Sequence, residues 1–536
     1  MKALFSLAFF LFDLIALSYA QPTWQWARQA PITYTGVATD PTGHVYVTGS
    51  FSGTITLGST TLTSHGYSDL LVAKFAPDGR LRWARQMGGT QASARGAALT
   101  LDAIGNCYLT GSFQGRLDQN TAGSVLTSPE GWPHILVARF TPEGKLSWVR
   151  QAGGDGYAND ARAIAVDALG NCVITGTLSG TQVRFGQLSF SFPLRQQLFV
   201  ARYNTQGVPQ WVNVVRSNGF TSGSGIGLDA LGDCYVVGNT IAPITIDGVT
   251  YGGPNQGRTV VAKFGRQQGR AQWVRLIGSP AGAGTGESIS VDPGGTCYLS
   301  GSYTGAATFG ALSLSGGDNE RNYVARYTRD GQASWVQELS TATAGAASRV
   351  QLAPDYRSLV VLSTAGSSAQ TRVSGLQTDG TPTWSTAVTG AGQSWGYCLA
   401  VGLSQQVYLA GALMNTCQFG SQQLTGTPDG SFLARLSLAG ANTRANPVAG
   451  STQQLAALYP NPARQQVTLT TPSSLSGQAL EATLYNRFGR AVLTQRLSPA
   501  ESARPVSLAL TGLPAGLYTL RLSGGGQLLS QQLAVE

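Results

Sequence analysis

Between Thr23 and Gly440 apolar and polar residues alternate in short runs, the period expected of strands whose two faces meet different surroundings. The runs return in a fixed order at a period of roughly 60 residues, so the chain reads as a repeat array. Three anchors mark each unit. The first is a glycine-bounded aromatic strand, Gly43-His44-Val45-Tyr46-Val47-Thr48-Gly49, which returns at Gly105–Gly111, Gly170–Gly176, Gly232–Gly238 and Gly295–Gly301. A degenerate copy lies at Leu359–Leu362 and the last at Val407–Gly411. The second anchor is a strand entering a tight turn, Leu71 to Gly79, with copies beginning near Leu136, Phe199, Val260, Tyr323, Arg372 and Phe432. The third is a strand carrying Trp26, Trp83, Trp148, Trp211, Trp273, Trp335 or Trp384.

Each unit predicts four strands. In the second unit these are Ala97–Leu101, Cys107–Phe113, Ile135–Phe140 and Leu146–Gln151, the last two joined by a turn at Pro142 to Gly144. Four-stranded units repeated about an axis make a propeller, whereas stacked in line they make a solenoid. The order of the anchors favours the ring. No tryptophan strand follows the seventh turn at Leu438 to Gly440, yet an orphan one, Thr23 to Ala30, precedes the first unit. Docking that strand on the seventh unit completes every sheet. The expectation is an all-β fold: a seven-bladed β-propeller over residues 21–440, closed by its N-terminal strand, with a small C-terminal β-sandwich.

The recurring pattern Asp-x-x-Gly-Asn-x-Tyr-x-Thr-Gly-Ser-Phe, followed by Val-Ala-Arg-Phe-x-x-x-Gly-x-x-x-Trp, resembles the bacterial seven-bladed propeller repeat family over about Thr23 to Gly440. The resemblance implies the fold and supplies no activity or catalytic residue.

Residues 441–457 lose the anchors and turn to Ala, Asn, Gly, Ser and Gln, the composition of a linker. From Leu458 to Glu536 alternation resumes at Gln466–Thr470, Glu481–Asn486, Val506–Leu510 and Tyr518–Leu522, enough for a small β-sandwich. Tyr459-Pro460-Asn461-Pro462 opens this segment, Gly489 follows Arg487-Phe488, and Gly516-Leu517-Tyr518 leads into a late strand. In that order the motifs are similar to the type A C-terminal sorting domain of type IX secretion. The resemblance implies passage over the outer membrane by the type IX machinery, usually followed by removal of the domain and attachment of the cargo to surface lipopolysaccharide. Many members carry a lysine in the last strand; here the chain ends Gln532-Leu533-Ala534-Val535-Glu536.

Composition agrees with export. Charged residues make up 11% of the 536, well below the usual share of about a quarter, so Ser, Thr, Gln, Asn and Gly must cover the surface. Residues 1–20 read as a signal peptide, with Lys2, an apolar stretch from Ala3 to Leu17 broken by Asp13, and small residues before a cut between Ala20 and Gln21. No later stretch is apolar and long enough for a membrane helix. The net charge of +9 comes from singly spaced Arg and Lys rather than a basic run, which argues against nucleic acid as a partner.

Candidate chemistry is sparse. Cys107, Cys172, Cys234 and Cys297 share one repeat position and would sit about 10 Å apart in neighbouring blades, beyond the ~7 Å reach of a disulfide. Cys398 and Cys417 leave a bridge open within the last unit. His44, His65 and His134 are the only histidines and occupy non-equivalent positions, so neither a metal centre nor a cofactor is expected. Asp40, Asp102, Asp167, Asp229 and Asp292 each precede a glycine turn by three residues, where a carboxylate caps backbone amides. Seven tryptophans at one position suit packing of unit on unit. Trp132 and His134, in the longest insertion, and Trp395 stand outside the series and are the candidate ligand-binding residues. With no constellation of differentiated catalytic residues, the expectation is a monomeric, non-enzymatic binding or adhesion scaffold, its partner a glycan or surface protein. The alternative is a propeller enzyme using carboxylates of the central channel on extracellular polysaccharide.

Overall fold

The computed structural model describes residues 21–118, 125–128, 131–192, 195–253, 257–278, 284–339, 346–365, 369–403, 405–426, 430–438, 457–459, 463–471, 475–485, 491–514, 516–524 and 527–535. The chain divides into two compact units, Met1–Ala445 and Asn446–Glu536, with the boundary inside the stretch read as a linker.

The described residues of the first unit are organised around seven antiparallel four-stranded units in chain order. Sheet one contains Thr33–Thr39, Val45–Phe51, Asp69–Phe75 and Leu81–Met87, and sheet two Ser93–Leu101, Cys107–Gln114, His134–Phe140 and Leu146–Gly153. Sheet three is Asp160–Val166, Cys172–Leu178, Gln197–Tyr203 and Pro209–Ser217; sheet four is Thr221–Leu228, Cys234–Thr240, Arg258–Phe264 and Ala271–Ile277. Gly284–Val291, Cys297–Tyr303, Arg321–Tyr327 and Ala333–Glu338 form sheet five, and Ala346–Leu352, Ser358–Ala365, Gln370–Gln377 and Pro382–Ala387 form sheet six. Sheet seven takes Gln393–Val401, Gln406–Phe419 and Ser431–Ser437 from the end of the array and Thr23–Ala30 from its beginning. That pairing sets Trp26 opposite Arg435 and Gln29 opposite Phe432.

The first strand of each sheet lies against the first strand of the next, and that of sheet seven lies against that of sheet one. Where these inner strands converge, side chains must be small. A Cβ on Gly96 would collide with Thr48 Oγ1, and one on Gly223 with Thr175 Oγ1. Every first-to-second pairing also carries a bulge, at Tyr34/Gly36, Gly96/Ala98, Ala161/Ala163, Gly223/Gly225, Gly286/Ser288, Ala346/Arg349 and Gly396/Cys398. An extra residue there bends the strand and strengthens its twist.

Apolar side chains from facing sheets fill the space between them. Tyr108, Ile135 and Val137 of sheet two, for example, share a core with Ile164, Ile174, Phe199 and Tyr203 of sheet three. The connections between second and third strands carry hairpins that extend the preceding sheet. Val183–Phe185 and Leu188–Phe190 add to the outer edge of sheet two, and Ile244–Ile246 and Val249–Tyr251 to that of sheet three. Outer edges, otherwise open to pairing with other chains, are thereby partly covered.

The second unit holds two sheets. Ala457–Tyr459, Gln466–Thr470 and Val506–Ala509 form one; Ala491–Leu497, Leu480–Tyr485, Gly516–Gly524 and Gln527–Val535 form the other. Val467, Leu469 and Leu508 of the first share one core with Leu484, Leu520, Leu522 and Leu533 of the second. A single helical turn, Pro499–Ser502, starts at Ser498 with a capping box completed by Glu501.

Candidate functional site

On one side of the repeat unit lie the tight turns that join first to second and third to fourth strands. Here the repeated polar residues are spent on the fold. Asp40 accepts the backbone N–H groups of Thr42 and His44, Asp102 those of Ile104 and Asn106, Asp167 those of Leu169 and Asn171, and Asp229 those of Leu231 and Asp233. Cations from the third strands neutralise several of them: Lys74 lies 3.3 Å from Asp40, Lys263 lies 3.6 Å from Asp229 and 3.2 Å from Asp233, and Arg202 pairs with Asp167. The same Lys74 and Lys263 sit 4.7 and 5.0 Å above the rings of Tyr46 and Tyr235. Burial works against ionisation of Asp233, but the Arg266 N–H and the Lys263 ammonium hold its carboxyl below the usual carboxylate range.

The tryptophans latch sheet to sheet across these turns. Trp83 Nε1 donates to Pro142 O at 2.9 Å, Trp148 to Thr205 O at 3.0 Å, Trp211 to Arg266 O at 2.8 Å, Trp273 to Arg329 O at 2.9 Å and Trp335 to Thr378 O at 3.1 Å. In each case the acceptor belongs to the next sheet. Arg85 likewise donates to Gly144 O at 2.9 Å and Tyr108 OH to Gly170 O at 3.1 Å, and between sheets seven and one all three kinds of bond recur: Trp26 Nε1 to Pro77 O at 3.2 Å, Arg28 to Gly79 O at 2.7 Å and Tyr408 OH to Gly43 O at 3.1 Å. Beside this framework, in the sector of sheets four and five, opens a cleft of about 930 Å³ lined by Tyr251, Lys263, Trp273, Arg275 and Arg329 among others.

The opposite side carries the longer connections. Trp132 is 38% exposed there, ahead of the third strand of sheet two. His134, two residues on, is only 6% exposed and packs edge-on against Phe113 at 6.0 Å. Burial lowers its pKa. Named above as a candidate ligand-binding residue of the insertion, His134 opens the third strand of sheet two opposite Phe113 and is buried there. Trp395 is half-buried in the first strand of sheet seven, so sheet one separates it from Trp132 and His134. Connections on the same side expose Tyr67, Tyr157 and Phe220, none of which the repeat pattern singled out, and Tyr397 is exposed at the bulge of the first strand of sheet seven.

A further group, centred on the first-strand bulge of sheet five, escaped sequence reasoning. Glu287 accepts from Ser348 N–H at 2.8 Å and lies 3.3 Å from Arg349 of the adjoining sheet. Burial raises its pKa despite Arg349, and Glu320 adds like charge. Glu320 in turn accepts from Ser302, and Asn322, opposite Ser302, is fully buried with both amide atoms unpartnered. Asn322 was detectable as a break in the repeat, because Leu70, Ile135 and Leu198 occupy its position in sheets one to three. Arg95 and Asp160 make a second inter-sheet ion pair at 2.6 Å.

The six cysteines are free and buried. Burial pushes the thiols of Cys172, Cys234, Cys297 and Cys398 up to about 12, so they stay protonated and act as small apolar fillers. Cys398 and Cys417 do not pair, since their side chains join different cores. Among the described residues no cluster of three or more His, Cys, Asp or Glu is arranged to hold a metal ion, and no helix is long and apolar enough to cross a membrane. Gln21 is described; Ala20 and the rest of the signal segment lie outside the described residues. Of the sorting motif, Pro460, Asn461, Pro462 and Gly489 also lie outside them. Tyr459 ends a strand, Gly516 begins another, and Tyr518 OH donates to Pro514 O at 2.7 Å.

Comparison with known families matches residues 457–536 to the secretion system C-terminal sorting domain. The protein is therefore exported, for secretion or attachment at the cell surface through the type IX system. Comparison with curated proteins gives no match. Solved structures similar to the chain include a gluconolactonase from Xanthomonas campestris, 14% identical, with 66% of this chain and 96% of that one covered and a TM-score of 0.29. They include a Synechocystis apocarotenoid oxygenase, 11% identical over 78% and 94% of the two chains with a TM-score of 0.37. A prolyl endopeptidase structure is 14% identical over 94% and 54%, with a TM-score of 0.36. These are propeller-type folds. At such scores their activities carry no inference for this chain.

Proposed function

We propose that this exported protein is a seven-bladed propeller, closed by Thr23–Ala30, that works without catalysis as a binding scaffold and takes a glycan on its loop face. The ring reading rests on the cyclic contact of the seven first strands and on the repetition, between sheets seven and one, of the Trp, Arg and Tyr latches found at the other seams. One observation carries the ligand reading. Tyr67, Trp132, Tyr157 and Phe220 expose aromatic side chains on one face of a framework whose repeated tryptophans are committed to packing. Aromatic faces stack on the apolar face of a sugar ring, and loops on a rigid support are the usual place for such contacts. The test is a glycan array probed with the full chain and with Trp132→Ala and Tyr157→Ala. Retention of wild-type signal by both variants, or a blank array with the wild type, removes the proposal.

A second reading, hydrolysis of an extracellular polysaccharide, draws on Glu287. Its pKa is raised by burial, the property a general acid needs, whereas Asp233 is held ionised and cannot donate a proton. A hydrolysis screen with wild type and Glu287→Gln separates the readings: turnover abolished by the substitution establishes the enzyme, and turnover in neither leaves the scaffold.

A further inference from the structure

The turn face carries a second feature that its fold does not require. In sheets two, three and four the third residue of the first turn is Ile104, Leu169 and Leu231, each 52–76% exposed. Sheets six and seven expose Tyr356 and Leu403 on the corresponding turns. Each of the first three residues is held by its backbone, whose N–H is capped by Asp102, Asp167 or Asp229, so the side chain has no part in shaping the turn. Sheets one and five confirm this, for they make the same turn with Thr42 and Gly294. An isolated exposed leucine needs no explanation, but recurrence at one position around one opening does.

The turns of sheets four and five touch. Ala230 N–H donates to Pro293 O at 3.1 Å, which sets the turn of sheet four beside that of sheet five. The third-to-fourth turns lie immediately outside: Gly105 borders Pro142, Gly232 borders Arg266 and Gly295 borders Arg329. An apolar arc over sheets two to four is thus flanked by a second tier of turns. In the sector of sheets four to six the exposed charges on these turns are Arg266, Arg270, Arg329 and Arg357 against Asp330, Asp355 and Asp379, and the excess of positive charge falls in sheets four and five, where Arg266, Arg270 and Arg329 stand against Asp330. None of the four arginines makes an ion pair among the described residues. The cleft of about 930 Å³ lined by Arg275, Arg329 and Trp273 opens in this sector.

We propose that the turn face docks on an anionic lipid surface, the aliphatic arc of Ile104, Leu169 and Leu231 entering the interface while the arginines meet phosphate headgroups. Apolar insertion and basic attraction together are what holds a protein on such a surface, each being weak alone. Aliphatic side chains offer no flat face to a sugar, and two copies meeting face to face would bring their arginine sectors toward like charge. The proposal concerns the face opposite the glycan site and is independent of it.

The experiment is cosedimentation of the full chain with vesicles of phosphatidylcholine alone and of phosphatidylcholine mixed with phosphatidylglycerol. Two variants accompany it, Ile104→Ser/Leu169→Ser/Leu231→Ser and Arg266→Gln/Arg270→Gln/Arg329→Gln. Thr42 and Gly294 already fill the equivalent position, so the serine variant should fold, and an unchanged melting curve checks it. Expected are binding to the anionic vesicles, release by salt, and a loss of about tenfold or more in partitioning for each variant. No binding by the wild type, or equal partitioning of wild type and serine variant, overturns the proposal. So does a dimer in sedimentation velocity that the serine variant disperses without any vesicle binding, or retention on an acidic polysaccharide that the serine variant leaves intact.

Discussion

On the turn face, tight turns repeat from sheet to sheet with the same bonds: an aspartate capping amides, a tryptophan donating to the next sheet and a glycine beneath its ring. On the loop face the equivalent connections differ in length and content from one sheet to the next, and none of the aromatic residues exposed there belongs to the repeat. The contrast teaches where each kind of information lies. A bond that closes the same seam at successive sheets must be written at successive sheets, whereas a ligand needs only a few residues brought together once. Stability is therefore concentrated on the first face and the freedom to vary on the second.

The largest effect should come from breaking a latch. Trp211→Ala removes a buried ring and its bond to Arg266 O, and should lower stability by about 3–5 kcal/mol in denaturant unfolding. A comparable loss from Trp132→Ala would contradict the division between faces, because that residue is expected to cost less than about 1 kcal/mol. A pair of glycines sharpens the point. Gly144 has φ +79°, and a Cβ there would lie 2.6 Å from Trp83; Gly248, in a loop-side hairpin, has φ +83° and open space around it. Both substitutions by alanine strain the backbone, at about 1 kcal/mol, but only Gly144→Ala should add a steric loss of about 1–3 kcal/mol. Paired thermal melts read the difference.

Smaller effects distinguish the faces by pH. For Asp40, burial opposes ionisation, but bonds from Thr42 and the His44 N–H hold the carboxyl below its ordinary 3.8, and Asp233 is likewise lowered. A folded pKa below the unfolded one means that the unfolded state takes up protons first. Stability from these groups is thus present above about pH 4 and lost as the pH falls through the folded value. Glu287 has the reverse sign, so its contribution is present below its ordinary 4.5 and lost as the pH rises through the raised folded value. Melting temperature against pH should therefore lose its acid slope in Asp40→Asn and gain relative stability near neutrality in Glu287→Gln. Equal and parallel profiles in the two variants would show that the faces do not differ electrostatically.

Much of the fold was legible because the period of two, the turn glycines and the tryptophan spacing are local properties repeated many times. The missing fourth strand of the last unit and the orphan strand at Thr23–Ala30 pointed to their pairing for the same reason. The aspartates could be assigned to turns from a three-residue spacing alone. What sequence could not supply was side-chain direction outside the repeat. His134 and Trp132 look alike as insertion residues, yet strand register buries one and leaves the other exposed. Glu287 and Arg349, 62 residues apart, become partners only because consecutive sheets pack face to face. The chain alone determined which residues repeat and therefore which build the framework. Only the tertiary structure decided which of the remaining residues meet, because those meetings depend on strand register and on the stacking of sheets, neither of which is a local property.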